Sequence, residues 1–255
     1  MRRKKNPTEL PTVEWTFNKL KYWSGKRIAE IDPTFLAELP KKSLSDKGFL
    51  GKFLERMLNI PNSNGHLDLQ GGELKCCVCK IDGEPRQTVA ITQIGSWLDQ
   101  ILKNSDFSQS HLFSKIRKLI YAPICGVGDR STWYFFPPVL VDLDDPKYST
   151  IRTLLEEDYK DIAQILNNDI KTFGKIGTSN GVFIQLRTKD TKSSKTKAYH
   201  PIFSQMYNLQ VSEKNYAFYF RKPFLEKILR FSGVYPNASN VDGPQQVIKD
   251  LKKSA

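Results

Sequence analysis

The stretch ELKCCVC, residues 73–79, restricts the fold more than any other part of the chain. Side chains alternate along a strand, so Leu74, Cys76 and Val78 fall on one face and Glu73, Lys75, Cys77 and Cys79 on the other. One row suits a core, and the opposite row sets an acid and a base side by side. Asp68 lies just upstream, separated from Glu73 by four residues. The dipeptide Asp82-Gly83 signals a hairpin turn, and RQTVAITQI reads as the returning strand. The expectation is a compact β unit carrying Asp68, Glu73 and Lys75.

The segment SLSDKGFLGKFLERMLN places Phe49, Leu50, Phe53, Leu54, Met57 and Leu58 at helical spacing, with Ser45 or Asp46 placed to cap it. This helix is predicted to stop at Ile60 and Pro61, where the polar loop PNSNG begins. An earlier helix is read in TVEWTFNKLKYW. Beyond residue 111 come a helical, basic HLFSKIRK, a strand LIYAPICGV, an aromatic strand STWYFFPPVLV and a long helix YSTIRTLLEEDYKDIAQILNN. A strand GVFIQLRTK, a basic loop DTKSSKTKAY, and NYAFYFRKPFLEKILRF, a strand running into a closing helix, complete the pattern. The fold class is α/β, in the mixed α+β sense, without internal repeats.

With 255 residues, 39% of them hydrophobic and 11% aromatic, the chain can bury one substantial core or build two lobes that share a cleft. The formal net charge of +12 favours an anionic partner, either nucleic acid or acidic lipid. No apolar run approaches membrane length, and MRRKKNPTELP has no apolar stretch behind its basic start, so an intracellular, cytoplasmic protein with no membrane association is expected. Three of the four cysteines crowd into CCVC, a poor disulfide framework, and Cys125 stands alone without a CxxC partner for zinc. They read as reduced strand residues.

Two carboxylates and a lysine on adjoining strands suit metal-assisted phosphodiester hydrolysis. Asp68 and Glu73 offer hard oxygen ligands for Mg2+, with Mn2+ as a substitute. Lys75 is placed to orient or help deprotonate an attacking water and to offset charge on the phosphorane. The competing reading of E-x-K on a strand is a solvated charged face.

Read in order, SDKGFLGKFLER, ELKCCVCKIDGEPRQTVA, HLFSKIRKLIYAPI, GVFIQLRTK and YAFYFRKPFLEKIL resemble the MutH family, from WTFNKLKYWSGKRIAEI to the closing helix. That family comprises the mismatch-repair nickase and related GATC-cutting restriction enzymes. The resemblance implies a PD-(D/E)xK nuclease fold with two lobes around a DNA-binding cleft. It implies a catalytic trio of Asp68, Glu73 and Lys75, with Asp68 and Glu73 on the metal. It also implies a further acid at Glu55, otherwise an exposed helix glutamate, and a basic residue at Lys115 near the scissile phosphate. For Lys115 and Lys118 the alternative to phosphate contact is a solvated basic face. Arg187-Thr188-Lys189 matches the DNA-reading element, with Arg187 suited to guanine O6 and N7 and Lys189 to a base or a phosphate. Tyr219 matches a tyrosine associated with adenine methylation, or is a buried strand tyrosine, and Arg221 joins the DNA-binding set.

On this resemblance, 1–12 is a basic tail and 13–235 one nuclease domain, with a catalytic lobe over about 13–110 and a DNA-reading lobe over about 111–235. Residues 236–255 form a loosely ordered tail. The short gap between Asp68 and Glu73 requires a tighter hairpin than the family's, or a displaced Asp68. Thr188 replaces the proline of the reading loop, and Gln87 and Ala90 differ from the nickase's acidic and aromatic residues. A restriction-type enzyme cutting double-stranded DNA at a short site is the first expectation. The alternative is a nickase acting at hemimethylated GATC with a MutL-like activator. A DNA-binding module that has lost cleavage would not need Asp68, Glu73, Lys75 and Glu55 together, and an RNA- or membrane-surface role rests on charge alone. A single centre of this kind implies a monomer, with a transient dimer for double-strand cleavage.

Overall fold

The structure is a computed structural model and describes residues 9–38, 48–61, 67–103, 106–193 and 196–233. The first helices are α1 (Val13–Trp23), α2 (Ile28–Ile31), α3 (Pro33–Glu38) and α4 (Phe49–Met57). Then follow β1 (Glu73–Cys79), β2 (Val89–Gln93), α5 (Leu98–Leu102), α6 (His111–Ile116), β3 (Lys118–Cys125), β4 (Tyr134–Phe135) and β5 (Val139–Asp142). The long α7 (Ser149–Phe173) leads to β6 (Ser179–Asn180), β7 (Ile184–Thr188), β8 (Ile202–Ser204), β9 (Leu209–Ser212), β10 (Tyr216–Phe220) and α8 (Lys222–Phe231). The class is mixed α+β with several sheets, as the sequence pattern implied. The described residues fall into two compact units, one drawing on those within 9–87, 118–141 and 226–233, the other on those within 88–117 and 142–225.

In the first unit β1 lies parallel to β3, in register from Glu73↔Leu119 to Cys79↔Cys125. Strand β3 also pairs with β4, antiparallel, and with β5. This corrects the expected hairpin. The Asp82-Gly83 turn does form, with Gly83 at φ 85°, Lys80 N–H donating to Glu84 O (2.8 Å) and Arg86 N–H to Val78 O (3.0 Å). The return is short, with Pro85 bridging Cys79 at a pair that needs no N–H from it, and the following β2 joins β10 instead. A parallel partner demands a long crossover, supplied by the connection that contains 88–117.

The apolar row of β1 faces a core as the alternation predicted. Leu74 is part of a buried cluster with Leu20, Trp23, Phe49, Phe53, Leu54, Ile120 and Phe135, and Cys76 and Val78 pack against it. Trp23 meets Phe135 at 5.7 Å between ring centroids, and Phe35 meets Phe53 edge-on at 5.0 Å. Each such ring contributes about 1.5–3 kcal/mol through burial. Helix α1 starts where Thr12 accepts the Trp15 N–H at 3.1 Å. The caps expected at Ser45 or Asp46 lie outside the described residues, as do residues 62–66 of the polar loop and most of both predicted tails.

The second unit is built on the sheet β2-β10-β7-β6, antiparallel throughout. Tyr159 of α7 packs against Phe218 of β10 at 6.3 Å and against Phe107 at 5.6 Å. Helix α7 ends at Gly174, whose φ of 65° is the left-handed conformation that glycine adopts without a Cβ clash. Hairpin β8-β9 is a separate two-stranded sheet. Among the described residues no helix is long and apolar enough to cross a membrane, and the four cysteines are free.

Candidate active site

The segment before β1 is folded by its two glycines. Leu69 and Gly72 exchange backbone hydrogen bonds (3.0 and 3.4 Å) around Gln70-Gly71, and Gly71 takes φ 75°. A Cβ on Gly72 would sit 2.6 Å from Val13 Cγ2 and 3.2 Å from the Lys118 carbonyl. This turn closes the short Asp68-to-Glu73 gap. It brings Asp68 beside the start of β1, where its Oδ2 accepts the Leu74 N–H at 3.3 Å.

Lys75 joins the two acids. Its Nζ lies 2.5 Å from Glu73 Oε1 and 3.6 Å from Asp68 Oδ2. Glu73 is 2% exposed, so the E-x-K pair is no solvated face. Burial acts to lower the Lys75 pKa, but attraction to Glu73 and Asp68 outweighs it, and the net displacement is upward.

Glu55 reaches the same place from α4. That helix closes with Asn59 in the left-handed region (φ 53°), Ile60 N–H donating to Glu55 O (2.8 Å) and Asn59 N–H to Arg56 O (3.3 Å). This two-bond helix stop fixes the turn that carries Glu55. Glu55 and Asp68, with Gly51, Leu54, Ile60, Leu74 and Cys76, line a cavity of about 60 Å³. Burial, with a smaller push from Cys77, raises the Cys76 thiol to about 12, so it adds no charge there.

The side chains fit a hard divalent cation. The Lys75 ammonium stands where two carboxylates concentrate negative potential, and Mg2+ accepts one or two carboxylates while keeping its waters. Among the described residues no three His, Cys, Asp or Glu side chains gather closely enough to hold an ion by protein ligands alone. Lys118 opens β3 and is half-buried.

In the second unit, Arg187 pairs with Ala217 and Tyr219 with Gln185 across β7 and β10, which makes Arg187 and Tyr219 diagonal neighbours on one face. The Arg187 guanidinium lies over the Tyr219 ring, 4.2 Å from its centroid. Tyr219 is both buried and stacked; Arg187 and Lys189 are exposed. Lys115, in the last turn of α6, is 8% exposed, which removes the solvated-face reading. Arg221 donates to the Gly181 carbonyl through Nη1, while its N–H reaches Phe183 O at 2.7 Å.

Sequence reasoning passed over two acids. Asp158, buried in α7, accepts the N–H groups of Val182, Phe183 and Ile184 at 2.6, 2.5 and 2.8 Å. Asp190, directly after Lys189, accepts from Thr191, His200 and Asn215. The glycine of GVFI and the turn-forming position of Asp190 were the available signals.

These features define a mixed α+β protein whose β1 carries a buried acid-lysine pair beside a second carboxylate, with a third acid on an adjacent cavity wall. No family model matches the chain. It is 27% identical over 217 residues to the DNA mismatch repair protein MutH of Buchnera aphidicola subsp. Baizongia pistaciae, a match spanning 82% of this chain and 92% of that protein. The likeness to a MutH-like protein therefore runs through most of both chains.

Proposed function

We propose that the chain is a MutH-like DNA endonuclease of PD-(D/E)xK type, hydrolysing phosphodiester bonds in double-stranded DNA at a short site. The observation that carries this reading is the convergence of Asp68, Glu73 and Lys75, with Glu55 lining the same cavity as Asp68. Similarity to a mismatch-repair MutH over most of the chain supports it independently.

A magnesium-type ion held by Asp68 and Glu73, with manganese as a substitute, would neutralise charge on the phosphate and acidify a bound water. Glu73, buried against Lys75, is held in one orientation, and Asp68 is held by the Leu74 N–H. Lys75, beside both acids, orients the attacking water or helps deprotonate it and offsets charge on the phosphorane. Lys115 and Lys118 are assigned to phosphates. Arg187 and Lys189 are assigned to sequence reading, Tyr219 to the methylation-sensitive position and Arg221 to the DNA-binding face.

Replacement of the reading-loop proline by Thr188 favours a restriction-type enzyme with its own target. The second reading, a strand-specific nickase at hemimethylated GATC switched on by a MutL-like protein, is favoured by the relative's name. The two are separated by incubating the chain with Mg2+ and supercoiled plasmid from hosts with and without adenine methylation, then sequencing the ends. Discrete double-strand cuts at one short site, without a partner, mark the restriction enzyme. Nicking confined to unmethylated GATC and stimulated by a MutL-like protein marks the nickase. An uncut plasmid under all of these conditions contradicts both.

A further inference from the structure

The loop that follows Lys189 is exposed and basic, yet it is held like a built element. Asp190, whose side chain is 5% exposed, closes its base. One carboxylate oxygen accepts the Thr191 N–H (2.8 Å) and meets the His200 ring at Nδ1 (2.7 Å); the other accepts the N–H groups of His200 (2.7 Å) and Asn215 (3.0 Å). Asn215 returns the contact by accepting the Lys189 N–H at 2.9 Å, and its side chain donates to Gln93 Oε1 at 2.7 Å. The base of the loop is thereby fastened to β2 and β10 as well as to β7. Burial would raise the Asp190 carboxyl, but the surrounding N–H donors and the His200 ring hold it at about 2.

The two described arms of the loop are joined as well. Ser193 N–H donates to Ala198 O at 2.7 Å and Lys197 N–H to Ser193 O at 2.9 Å, with Lys197 in the left-handed region at φ 56°. A non-glycine residue there carries about 1–2 kcal/mol of strain, which an idle solvent loop has no reason to keep. Tyr199 braces the cations: Lys192 Nζ lies 5.4 Å and Lys214 Nζ 4.6 Å from its ring centroid. Among the described residues Lys192, Lys197 and Lys214 form no ion pair with a carboxylate, and Lys192 and Lys197 are exposed.

We propose that residues 191–193 and 196–199 belong to a preorganised basic finger whose Lys192 and Lys197 bind the sugar-phosphate backbone of duplex DNA, with Asp190 as the residue that positions it. The proposal rests on the DNA-cleaving reading above and extends it. The finger continues directly from the strand that carries Arg187, so phosphates flanking the bases read by Arg187 are its targets, and its role is register and affinity rather than sequence. Asp190 acts at a distance, by fixing where the lysines project.

The test is the salt dependence of binding to a short fluorescent duplex, without added divalent metal so that cleavage does not intrude. Wild type is compared with Lys192→Ala/Lys197→Ala and with Asp190→Asn, after circular dichroism shows that each is folded. Each lost phosphate contact lowers the slope of log affinity against log salt by about 0.9, so the double variant should lose close to 2. Removing a carboxylate near DNA should tighten binding if only charge mattered. The finger predicts the opposite for Asp190→Asn: binding weaker by about tenfold, equivalent to about 1.4 kcal/mol. An unchanged slope in the double variant overturns the finger while leaving the nuclease reading intact, and Asp190→Asn binding as tightly as wild type overturns the positioning role. Wild type that binds no DNA overturns the finger and the nuclease reading together.

Discussion

The Arg187 guanidinium rests on the Tyr219 ring, 4.2 Å from its centroid, from a diagonal position across β7 and β10. The stack fixes the direction of a long side chain that would otherwise sample many rotamers, and it is worth about 0.5–1 kcal/mol at an exposed site. Arg187→Ala should cost about 1–3 kcal/mol of discrimination between DNA sites if Arg187 contacts a guanine edge. Tyr219→Phe keeps the ring and should leave discrimination near wild type, whereas Tyr219→Leu should lose part of what Arg187→Ala loses. Competition binding with single-base variants of the target measures all three. Equal discrimination in wild type and Arg187→Ala would move Arg187 to the phosphate-contacting class.

Gly51 sits inside α4 at a position where an added Cβ meets nothing within 4 Å, and it lines the cavity shared by Glu55 and Asp68. Gly51→Ala should raise stability by up to about 1 kcal/mol, the usual helix-interior difference, with little effect on cleavage. Gly51→Leu projects a long side chain over that cavity and should suppress cleavage while keeping the fold. Urea unfolding and plasmid nicking of the two variants separate helix propensity from access to Glu55.

Asp158 and Gly181 form a tight structural lock in the second unit. A Cβ on Gly181 would fall 2.3 Å from the Asp158 carboxylate, which already accepts three N–H groups. Gly181→Ala should therefore destabilise by about 3 kcal/mol through overpacking and lost buried hydrogen bonds. Adding Asp158→Ala to it should cost less than the sum of the single changes, because both break one lock. Additive losses in urea unfolding would show that the two residues act separately.

The Asp190 clasp makes an acid-side contribution to stability. Its carboxyl is held at about 2, below the ordinary 3.8, so the contribution is complete above the ordinary value and is lost as pH falls toward the lowered one. The urea midpoint of wild type should thus exceed that of Asp190→Asn at neutral pH, and the gap should close between about pH 4 and pH 2. A gap independent of pH would mean that the carboxylate charge is not what holds the loop.

Local features of the sequence were legible where local physics decides them. The period of α4, the helices read in TVEWTFNKLKYW and YSTIRTLLEEDYKDIAQILNN, and the alternation in ELKCCVC all survive in the structure. The partner of β1 was not legible. A parallel neighbour comes from the far side of a long crossover, and the nearby Asp82-Gly83 turn signals a return that runs only as far as Arg86. The Asp68, Glu73 and Lys75 cluster was anticipated in composition, while its geometry depended on the Gln70-Gly71 turn and on the close approach of Gly72 to Lys118. Asp158 reads in LLEEDYKD as one more charge, because the N–H groups of Val182, Phe183 and Ile184 that it accepts lie far along the chain.

On the proposed function, Glu73 and Lys75 do the chemistry without supplying the affinity for DNA. Nicking of supercoiled plasmid in Mg2+ by wild type, Glu73→Ala and Lys75→Ala, with duplex affinity measured on the same preparations, tests it most directly. Wild type should nick, both variants should lose nicking entirely, and their affinities should stay within a few-fold of wild type. Nicking by either variant at the wild-type rate would contradict it.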